Sequence, residues 1–230
     1  MKINSLKFLI SFLAVILLSS GCDKEDKVAS KVTFWPNIEI NGDEFVVVEL
    51  GDAYEDASAT VTVNGAGIPF ETVSDVDDSE VGAYTVSYTA VNEDGISASK
   101  VRTVIVVDPA AADDDLTGSF TRVGQAGTVI NWAKHPTKPF TYIANNVGGV
   151  PPSNASYAVF NAQFLAYNVA PGIVVVPLQQ VGGLAPFYCT DGGGSLQIPF
   201  NVAALPGETG YIWAVIGANF GTAPRTFRKL

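Results

Sequence analysis

The sequence predicts an all-β protein in which an N-terminal export segment precedes two β domains. From Phe45 onward, short runs of β-branched and aromatic residues alternate with turn residues. Nowhere does an apolar pattern with the period of an α-helix persist for three turns. Hydrophobic residues make up 47% of the chain and aromatic residues 10%, which is ample for two domains of about 100 residues, each with its own core.

Residues 1–21 have the anatomy of a bacterial export signal. Lys2 and Lys7 supply positive charge around the start of Phe8–Leu18, an apolar run of eleven residues. The run is too short to span a bilayer as a helix, and small residues follow it. The pattern therefore predicts a signal peptide.

The end of this signal reads Leu17-Leu18-Ser19-Ser20-Gly21-Cys22 and resembles a bacterial lipobox, with Ser19 where leucine is most common. The resemblance implies cleavage before Cys22, transfer of diacylglycerol to its sulfur and, usually, acylation of the new amino group. Several acyl chains on one residue hold a protein on the membrane almost permanently, so we expect a lipoprotein. The alternative is a plain secretory signal cut near Ser20 or Gly21, which leaves Cys22 as a free thiol.

Residues 22–37 form a predicted acidic tether. Asp23, Lys24, Glu25 and Asp26 follow the cysteine and resemble the export signal of Bacteroidota lipoproteins that reach the outer face of the outer membrane. The resemblance implies an outer-membrane protein exposed on the cell surface. A merely solvated tether is the alternative.

Alternation in the first half of the chain predicts strands with one buried face. In Gly82–Val91, tyrosine, valine and alanine share one face and mostly hydroxyl side chains share the other. Asn92–Gly95 then supplies a tight turn, because Asp-Gly tolerates a positive φ, and the next strand returns as an antiparallel partner. Five strands are predicted, at Glu44–Glu49, Ala59–Val63, Pro69–Val73, Gly82–Val91 and Ser97–Val107.

Five spaced segments of this half carry a family resemblance: Gly51–Asp56, Ala59–Val61, Val81–Ala90, Asn92–Gly95 and Thr103–Asp108. Together they resemble the bacterial Ig-like domain of surface proteins and insecticidal crystal toxins, a relative of PKD and HYR modules. The resemblance covers residues 38–108 and implies an Ig-like β-sandwich that acts as a spacer or adhesion module without catalytic residues. Ala57 stands where the family commonly has proline or glycine.

Residues 109–115 are predicted to link the two domains. Pro109 ends the preceding strand, and the alanines and aspartates after it have little to bury. The second domain, 116–230, reads as an antiparallel β-sandwich or small barrel, because Gly or Pro turns separate nearly all of its strands. The predicted strands are Ser119–Val123, Thr128–Ala133, Phe140–Ala144, Tyr157–Asn168, Ile173–Gln179, Ala185–Thr190, Ser195–Phe200, Gly210–Ala218 and Arg225–Lys229.

Residues 116–230, which end on Pro224–Leu230, resemble uncharacterised C-terminal domains that follow Ig-like modules in Bacteroidota lipoproteins. This resemblance implies location and architecture more than an activity. We also expect the two halves to fold independently.

Charge and cysteine content exclude two classes of protein. The formal net charge is −10, and removal of the signal deletes two lysines and no acid. We expect no nucleic-acid partner, because no basic stripe is present to neutralise phosphates. If Cys22 is lipidated, Cys189 has no partner for a disulfide and should behave as a small buried hydrophobe.

The sequence predicts no catalytic site, cofactor or metal. After Asp115 the only acids are Asp191 and Glu208, both explained by turns, and the only histidine of the chain, His135, lies in a polar loop. We therefore expect a non-enzymatic protein. The acidic loop Asp75–Glu80 could hold calcium through its oxygen atoms, although solvated loop charge is the simpler explanation.

Aromatic side chains in the second domain are the remaining functional lead, since sugars and lipids are commonly held on flat amphipathic surfaces. In Tyr211–Ile216 both faces of the strand are apolar, so it is either central in a two-layer core or lines a ligand cavity. Core packing accounts for most of the rings. The candidates for ligand binding are Trp132, Tyr142, Tyr188, Tyr211 and Trp213.

These features predict a surface-exposed, lipid-anchored outer-membrane protein whose Ig-like spacer presents a β-rich domain that binds a glycan or another extracellular ligand. Accessory proteins of glycan-uptake systems share this layout. The alternatives are a structural or adhesion lipoprotein that contacts partner proteins and a small β-barrel that carries lipid. An apolar interior cavity would favour lipid, an exposed row of aromatics would favour glycan, and neither would favour a partner protein.

Overall fold

Strand pairing accounts for almost all of the regular structure, which confirms the predicted all-β fold class. The computed structural model describes residues 32–190 and 210–230, together with the backbone of a strand at 197–199. Cys22, the acidic cluster at 23–26 and the turn acids Asp191 and Glu208 lie outside these residues.

Two sheets form the N-terminal half. Its strands are β1 (Asn37–Ile40), β2 (Phe45–Glu49), β3 (Ala59–Val63), β4 (Ala66–Gly67), β5 (Glu71–Ser74), β6 (Gly82–Val91) and β7 (Ser97–Val107). One sheet has the order β1-β3-β4 and the other the order β2-β7-β6-β5. β2 runs parallel to β7, and the remaining neighbours are antiparallel.

Alternation along β6 produces the core of this half. Val86, Tyr88 and Ala90 are buried among residues of both sheets, whereas Thr85 on the other face is exposed. The turn after β6 is closed by the Asn92 side chain, and Gly95 has a positive φ of 78°. The predicted hairpin and its buried face are therefore confirmed.

One antiparallel sheet forms the C-terminal half, in the order β13-β15-β16-β8-β9-β10-β11-β12-β14. Its strands are β8 (Gly118–Arg122), β9 (Ile130–Lys134), β10 (Thr141–Asn145), β11 (Gln163–Ala170), β12 (Ile173–Val175), β13 (Phe187–Thr190), β14 (Gln197–Pro199), β15 (Gly210–Gly217) and β16 (Arg225–Lys229). The chain beyond β12 runs beside β13. There the Cys189 amide donates to the Val176 carbonyl at 3.1 Å, and Gln179 and Phe187 exchange two backbone hydrogen bonds of 2.9 Å. These bonds join the two ends of the run from β13 to β12, so that eight of the nine strands form a nearly closed barrel, and β14 pairs with β12. The C-terminal half is therefore a barrel and not a sandwich.

Aromatic side chains fill the described interior of this barrel. Trp132, Tyr211 and Trp213 belong to one buried cluster, with ring centroids 4.6–5.8 Å apart. An eight-stranded barrel has an interior just wide enough for packed side chains. The interior is therefore a core that stabilises the fold by burying apolar surface.

One predicted strand is interrupted by a helix. The sequence predicts a strand over Tyr157–Asn168, but the structure has helix α1 at Tyr157–Phe160 and begins β11 only at Gln163. The cause is local, because the Asn154 side chain accepts the Ser156 amide at 2.8 Å and starts a helical turn. β1 and β4 were not predicted, since each is short and forms only through pairing with β3.

The segment at 109–115 is ordered and contacts the barrel. Pro109–Asp113 is a 3₁₀ helix, and Ala111 is buried, contrary to the expectation that this stretch buries little. The Asp114 carboxylate accepts hydrogen bonds from the Asn168 side chain at 3.0 Å and from the Gly172 amide at 2.8 Å. This acid therefore fixes the junction to the barrel.

A third hydrophobic cluster contains residues of both halves, which form one compact unit over 34–230. Ile105 and Val107, on the outer face of β7, pack with Tyr167 of β11 and its neighbours. Phe45 stacks on the Tyr167 ring with centroids 6.1 Å apart. Independent folding of the halves stays a prediction, and separating them would expose this cluster to water.

Candidate functional site

An open cleft of about 980 Å³ lies between the outer face of sheet β2-β7-β6-β5 and one side of the barrel. Its volume is in the range of binding sites for small molecules. The lining is mostly apolar, and both halves of the chain contribute to it. The cleft is the strongest candidate site in the described part of the chain.

The floor of the cleft is the face of β6 and β7 that points away from the core of the N-terminal half. Thr85 and Ser87 come from β6, Val101 and Thr103 from β7, and Phe45 from β2. Val101 is exposed and Phe45 half-buried, so apolar surface remains open above the sheet. Strand alternation explains this placement, because residues two apart on a strand share a face.

The opposite wall is fixed by the buried side chain of Gln179. Its Oε1 accepts the Leu165 amide at 2.9 Å, and its Nε2 donates to the Leu165 carbonyl at 2.8 Å. These bonds clamp the segment after β12 against β11. Leu178 in that segment is 60% exposed and lines the cleft.

Tyr188 is the one predicted ligand-binding aromatic that lines the cleft. It lies between Phe187 and Cys189 on β13, both of which point into the barrel core, so alternation turns its ring outward. The ring is half-buried. It therefore offers a flat apolar surface together with a hydroxyl group.

The polar groups of the cleft are mainly uncharged. The exposed side chains of Gln163 and Gln180 line the cleft together with the hydroxyl groups of the floor. Glu44 is the one charged side chain among the described lining residues, and Lys100 pairs with it at 3.3 Å. The cleft therefore offers no free cation in its described lining for an anionic ligand.

The other four predicted aromatics lie in the barrel core, where a ligand at the surface cannot contact them. The Trp132 indole donates to the Tyr211 hydroxyl at 3.2 Å, and the Trp213 indole donates to the Val147 carbonyl at 3.0 Å. The Tyr142 hydroxyl donates to the Asp114 carbonyl at 2.9 Å. Burial raises the pKa of both Tyr142 and Tyr211. The polar atoms of these side chains therefore have hydrogen-bond partners within the protein, as buried tyrosine and tryptophan usually require.

Most of the cleft lining was not predicted from the sequence, because the candidate aromatics all came from the second half of the chain. Phe45, Leu165 and Leu178 were not candidates. One usable signal was present at the end of β7, where Val104–Val107 is apolar at every position and therefore on both faces of the strand. A strand that is apolar on both faces indicates that both faces are covered.

A cluster of polar side chains lies inside the N-terminal half. Arg102 is buried and pairs with the Asp56 carboxylate, and its Nε donates to the Asp43 carbonyl at 3.1 Å. The Tyr88 and Tyr54 hydroxyls donate to the same carboxylate at 2.6 and 3.0 Å. The Arg102 guanidinium also lies 5.7 Å from the centre of the Tyr88 ring.

Opposing effects set the pKa of the Asp56 carboxyl. Burial raises it, but hydrogen bonds from Tyr88, the Ser58 backbone and Tyr54, together with the Arg102 charge, outweigh burial and hold the pKa below its ordinary value. The cluster ties the loop before β3 to the centre of β7. We assign it a structural role, since its groups satisfy one another.

The remaining sequence candidates have structural explanations. Cys189 is buried, and burial raises the pKa of its thiol well above its ordinary value, which confirms the predicted small hydrophobe. In the loop of His135, Nδ1 accepts the Lys138 amide at 3.1 Å. Carboxylates of Asp75 and Asp77 accept hydrogen bonds from Thr85 and Ser79. The described residues contain no cluster of three or more histidine, cysteine or acidic side chains suited to a metal. No described helix is long and apolar enough to cross a membrane.

Part of the N-terminal half matches the model of a known protein family. Residues 38–106 match the family model of the bacterial surface protein Ig-like domain. The match covers less than half of the chain. It confirms the predicted Ig-like domain and supports a β protein of the cell surface.

Solved structures give only distant similarity, and no curated protein matches the chain. A lipoprotein of Bacteroides thetaiotaomicron is 19% identical, with a TM-score of 0.35 over 85% of this chain and all of that one. A structure of the M60 catalytic domain with the CBM51-1 and CBM51-2 domains of ZmpB from Clostridium perfringens is 13% identical, with a TM-score of 0.30 over 90% of this chain and 23% of that one.

Proposed function

We propose that this chain is a non-enzymatic lipoprotein, anchored to the outer membrane through Cys22 and exposed on the cell surface, that binds a neutral glycan in the cleft. The observation that carries this proposal is the cleft itself, whose described lining combines apolar surface with exposed amide side chains. The lipobox-like sequence and the acidic residues after it support lipidation and display on the cell surface. The described lining of the cleft contains one acidic side chain, Glu44, and no histidine or cysteine.

The chemistry of the lining favours an uncharged, amphipathic ligand. A sugar ring presents C–H groups on one face, which suit Tyr188 and Leu178, and hydroxyls at its edge, which suit Gln163 and Gln180. The net charge of −10 opposes the approach of anionic ligands. Because residues of both halves line the cleft, the proposed ligand site is not confined to residues 116–230.

The two alternatives differ from this proposal in where contact is made. A lipid carrier would need an apolar cavity inside the barrel. The described interior is instead filled by packed aromatic rings, which does not support this alternative. A structural or adhesion role would place a partner protein over the same cleft. Glycan titration and protein pull-down distinguish these two readings.

The anchor is tested by replacing Cys22 with alanine in the full-length protein. We expect metabolic labelling with palmitate to be lost and the protein to leave the membrane fraction, because the acyl chains have no other attachment. A Cys189→Ala variant is the matched control, since that thiol is buried in the barrel, and it should keep full labelling. Palmitate incorporation that persists in Cys22→Ala contradicts the proposal.

The cleft is tested on the soluble chain from Asp26 onward, first on a glycan array and then by titration of the best glycan. Tyr188→Ala should weaken binding roughly tenfold to a hundredfold, the effect of losing about 1–3 kcal/mol of ring contact and hydroxyl bonding. Tyr157→Ala is the matched control, because this half-buried tyrosine of α1 lies outside the cleft. Equal affinity for the two variants, or no glycan bound by the parent chain, contradicts the glycan proposal.

A further inference from the structure

Three apolar side chains project from one end of the N-terminal half. Trp35, Val91 and Phe34 are 69%, 54% and 45% exposed. The Asn92 side-chain amide donates to the Phe34 carbonyl at 2.7 Å, which holds Phe34 beside the turn that follows β6, and Val91 is the last residue of β6. We call these three residues the apolar tip.

The apolar tip is held on ordered structure. Pro36 is buried directly after Trp35, and Ile38 two residues later belongs to the core. On the other side, the Asn92 Oδ1 accepts the amides of Asp94 and Ile96 at 3.0 and 2.7 Å. The backbone on both sides of the tip is therefore fixed, and its side chains stay in contact with water.

We propose that the apolar tip inserts into the headgroup region of the membrane leaflet that holds the lipid on Cys22. This rests on the proposed lipidation. Phe34 follows Cys22 by twelve positions, and a fully extended chain of that length spans about 40 Å at most. The anchor therefore keeps the tip close to the bilayer surface at high effective concentration.

The composition of the tip fits a bilayer interface. Tryptophan concentrates at the boundary between headgroups and acyl chains, where its amphipathic ring can bury its apolar part, and phenylalanine is common on the apolar face of segments that lie in this boundary. Three side chains would give only weak binding by themselves, but the covalent lipid already holds the protein on the membrane. Insertion then covers apolar surface that otherwise faces water.

The charged residues around the tip determine which bilayer lipids favour insertion. Glu93 and Asp94 are exposed at the same turn, and the chain as a whole is acidic. An anionic bilayer would repel this end of the molecule. We therefore expect insertion into zwitterionic bilayers and weaker insertion when anionic lipid is added.

The test uses tryptophan fluorescence, because Trp35 is the exposed one of three tryptophans and the other two are buried. The chain 22–230 is coupled through the Cys22 thiol to a maleimide lipid; the buried Cys189 is protected from reaction. The coupled protein is placed in phosphatidylcholine vesicles with or without bromine on the acyl chains near the glycerol. We expect the brominated lipid to quench the emission of Trp35 and the iodide quenching of Trp35 in water to fall.

Two variants make the result specific. Trp35→Ala should lose the bromine quenching entirely, and Val73→Ala, an exposed valine of β5 that is not among the described residues lining the cleft, should keep it. If Trp35 shows no bromine quenching and full iodide quenching in protein that floats with the vesicles, the tip does not insert and the inference is wrong. Chemical coupling replaces the natural modification, so this failure is separate from a failure of palmitate labelling at Cys22.

Discussion

Replacing Arg102 with methionine should lower the free energy of unfolding of the protein by about 3 kcal/mol. Removing one partner of a buried ion pair commonly costs about 3–5 kcal/mol, because the other partner keeps its charge without compensation. Here the Asp56 side chain is 26% exposed, so water relieves part of that cost and the lower end of the range applies. Carbonyl groups that Arg102 satisfies, including those of Asn41 and Asp43, would also lose a donor.

The measurement is urea unfolding of the soluble chain, followed by far-ultraviolet circular dichroism. Lys100→Met is the matched control on the same strand, since its pair with Glu44 is solvent-exposed and should contribute no more than about 1 kcal/mol. Equal shifts for the two variants would show that burial of Arg102 adds nothing.

The pKa of Asp56, which hydrogen bonds from Tyr88, the Ser58 backbone and Tyr54 lower together with the Arg102 charge, predicts that acid destabilises the protein. The folded-state pKa of Asp56 is lowered, so its contribution to stability is fully present above the unfolded pKa of about 3.8 and is lost as pH falls through the folded value. The parent chain should therefore lose stability more steeply below about pH 4 than Arg102→Met does. Parallel acid curves for the two proteins would contradict this assignment.

Trp213→Ala should destabilise the barrel by about 3–5 kcal/mol. Truncating a buried tryptophan removes apolar contacts and leaves a cavity. Trp213 packs on Tyr211, Trp132 and Phe227 with ring centroids 4.6–5.8 Å apart, so few neighbours can move to fill the space. Its indole also donates to the Val147 carbonyl at 3.0 Å.

Two further tryptophan variants separate the causes of this loss. Trp213→Phe keeps most of the ring packing but removes the bond to Val147, and should cost about 1–3 kcal/mol. Trp35→Ala, at the exposed apolar tip, should change stability by no more than about 0.5 kcal/mol. Thermal unfolding by circular dichroism measures all three variants, and a Trp213→Ala midpoint close to that of Trp35→Ala would refute the packing argument.

Local patterns in the sequence determined much of the secondary structure. The predicted bounds of Ala59–Val63, Gly82–Val91, Ser97–Val107 and Arg225–Lys229 agree with the observed strands. Alternation with a period of two and turn residues such as Asp94-Gly95 are properties of neighbouring residues, so they can be read without the fold. The Ig-like domain was predicted from the resemblance of five spaced segments to a known family, and the family match over residues 38–106 confirms it.

Contacts between distant residues were decided only by the tertiary structure. Tyr211 and Trp213 occupy a strand that is apolar on both faces, and alternation cannot say which face meets a core and which a ligand. Closing the barrel turned both rings inward, whereas alternation on β13 turned Tyr188 outward into the cleft. Likewise, the outer face of β7 became the floor of the cleft and part of a shared core because the barrel packs against it. A strand pattern fixes which residues share a face, but the partner of that face is set by packing across the whole chain.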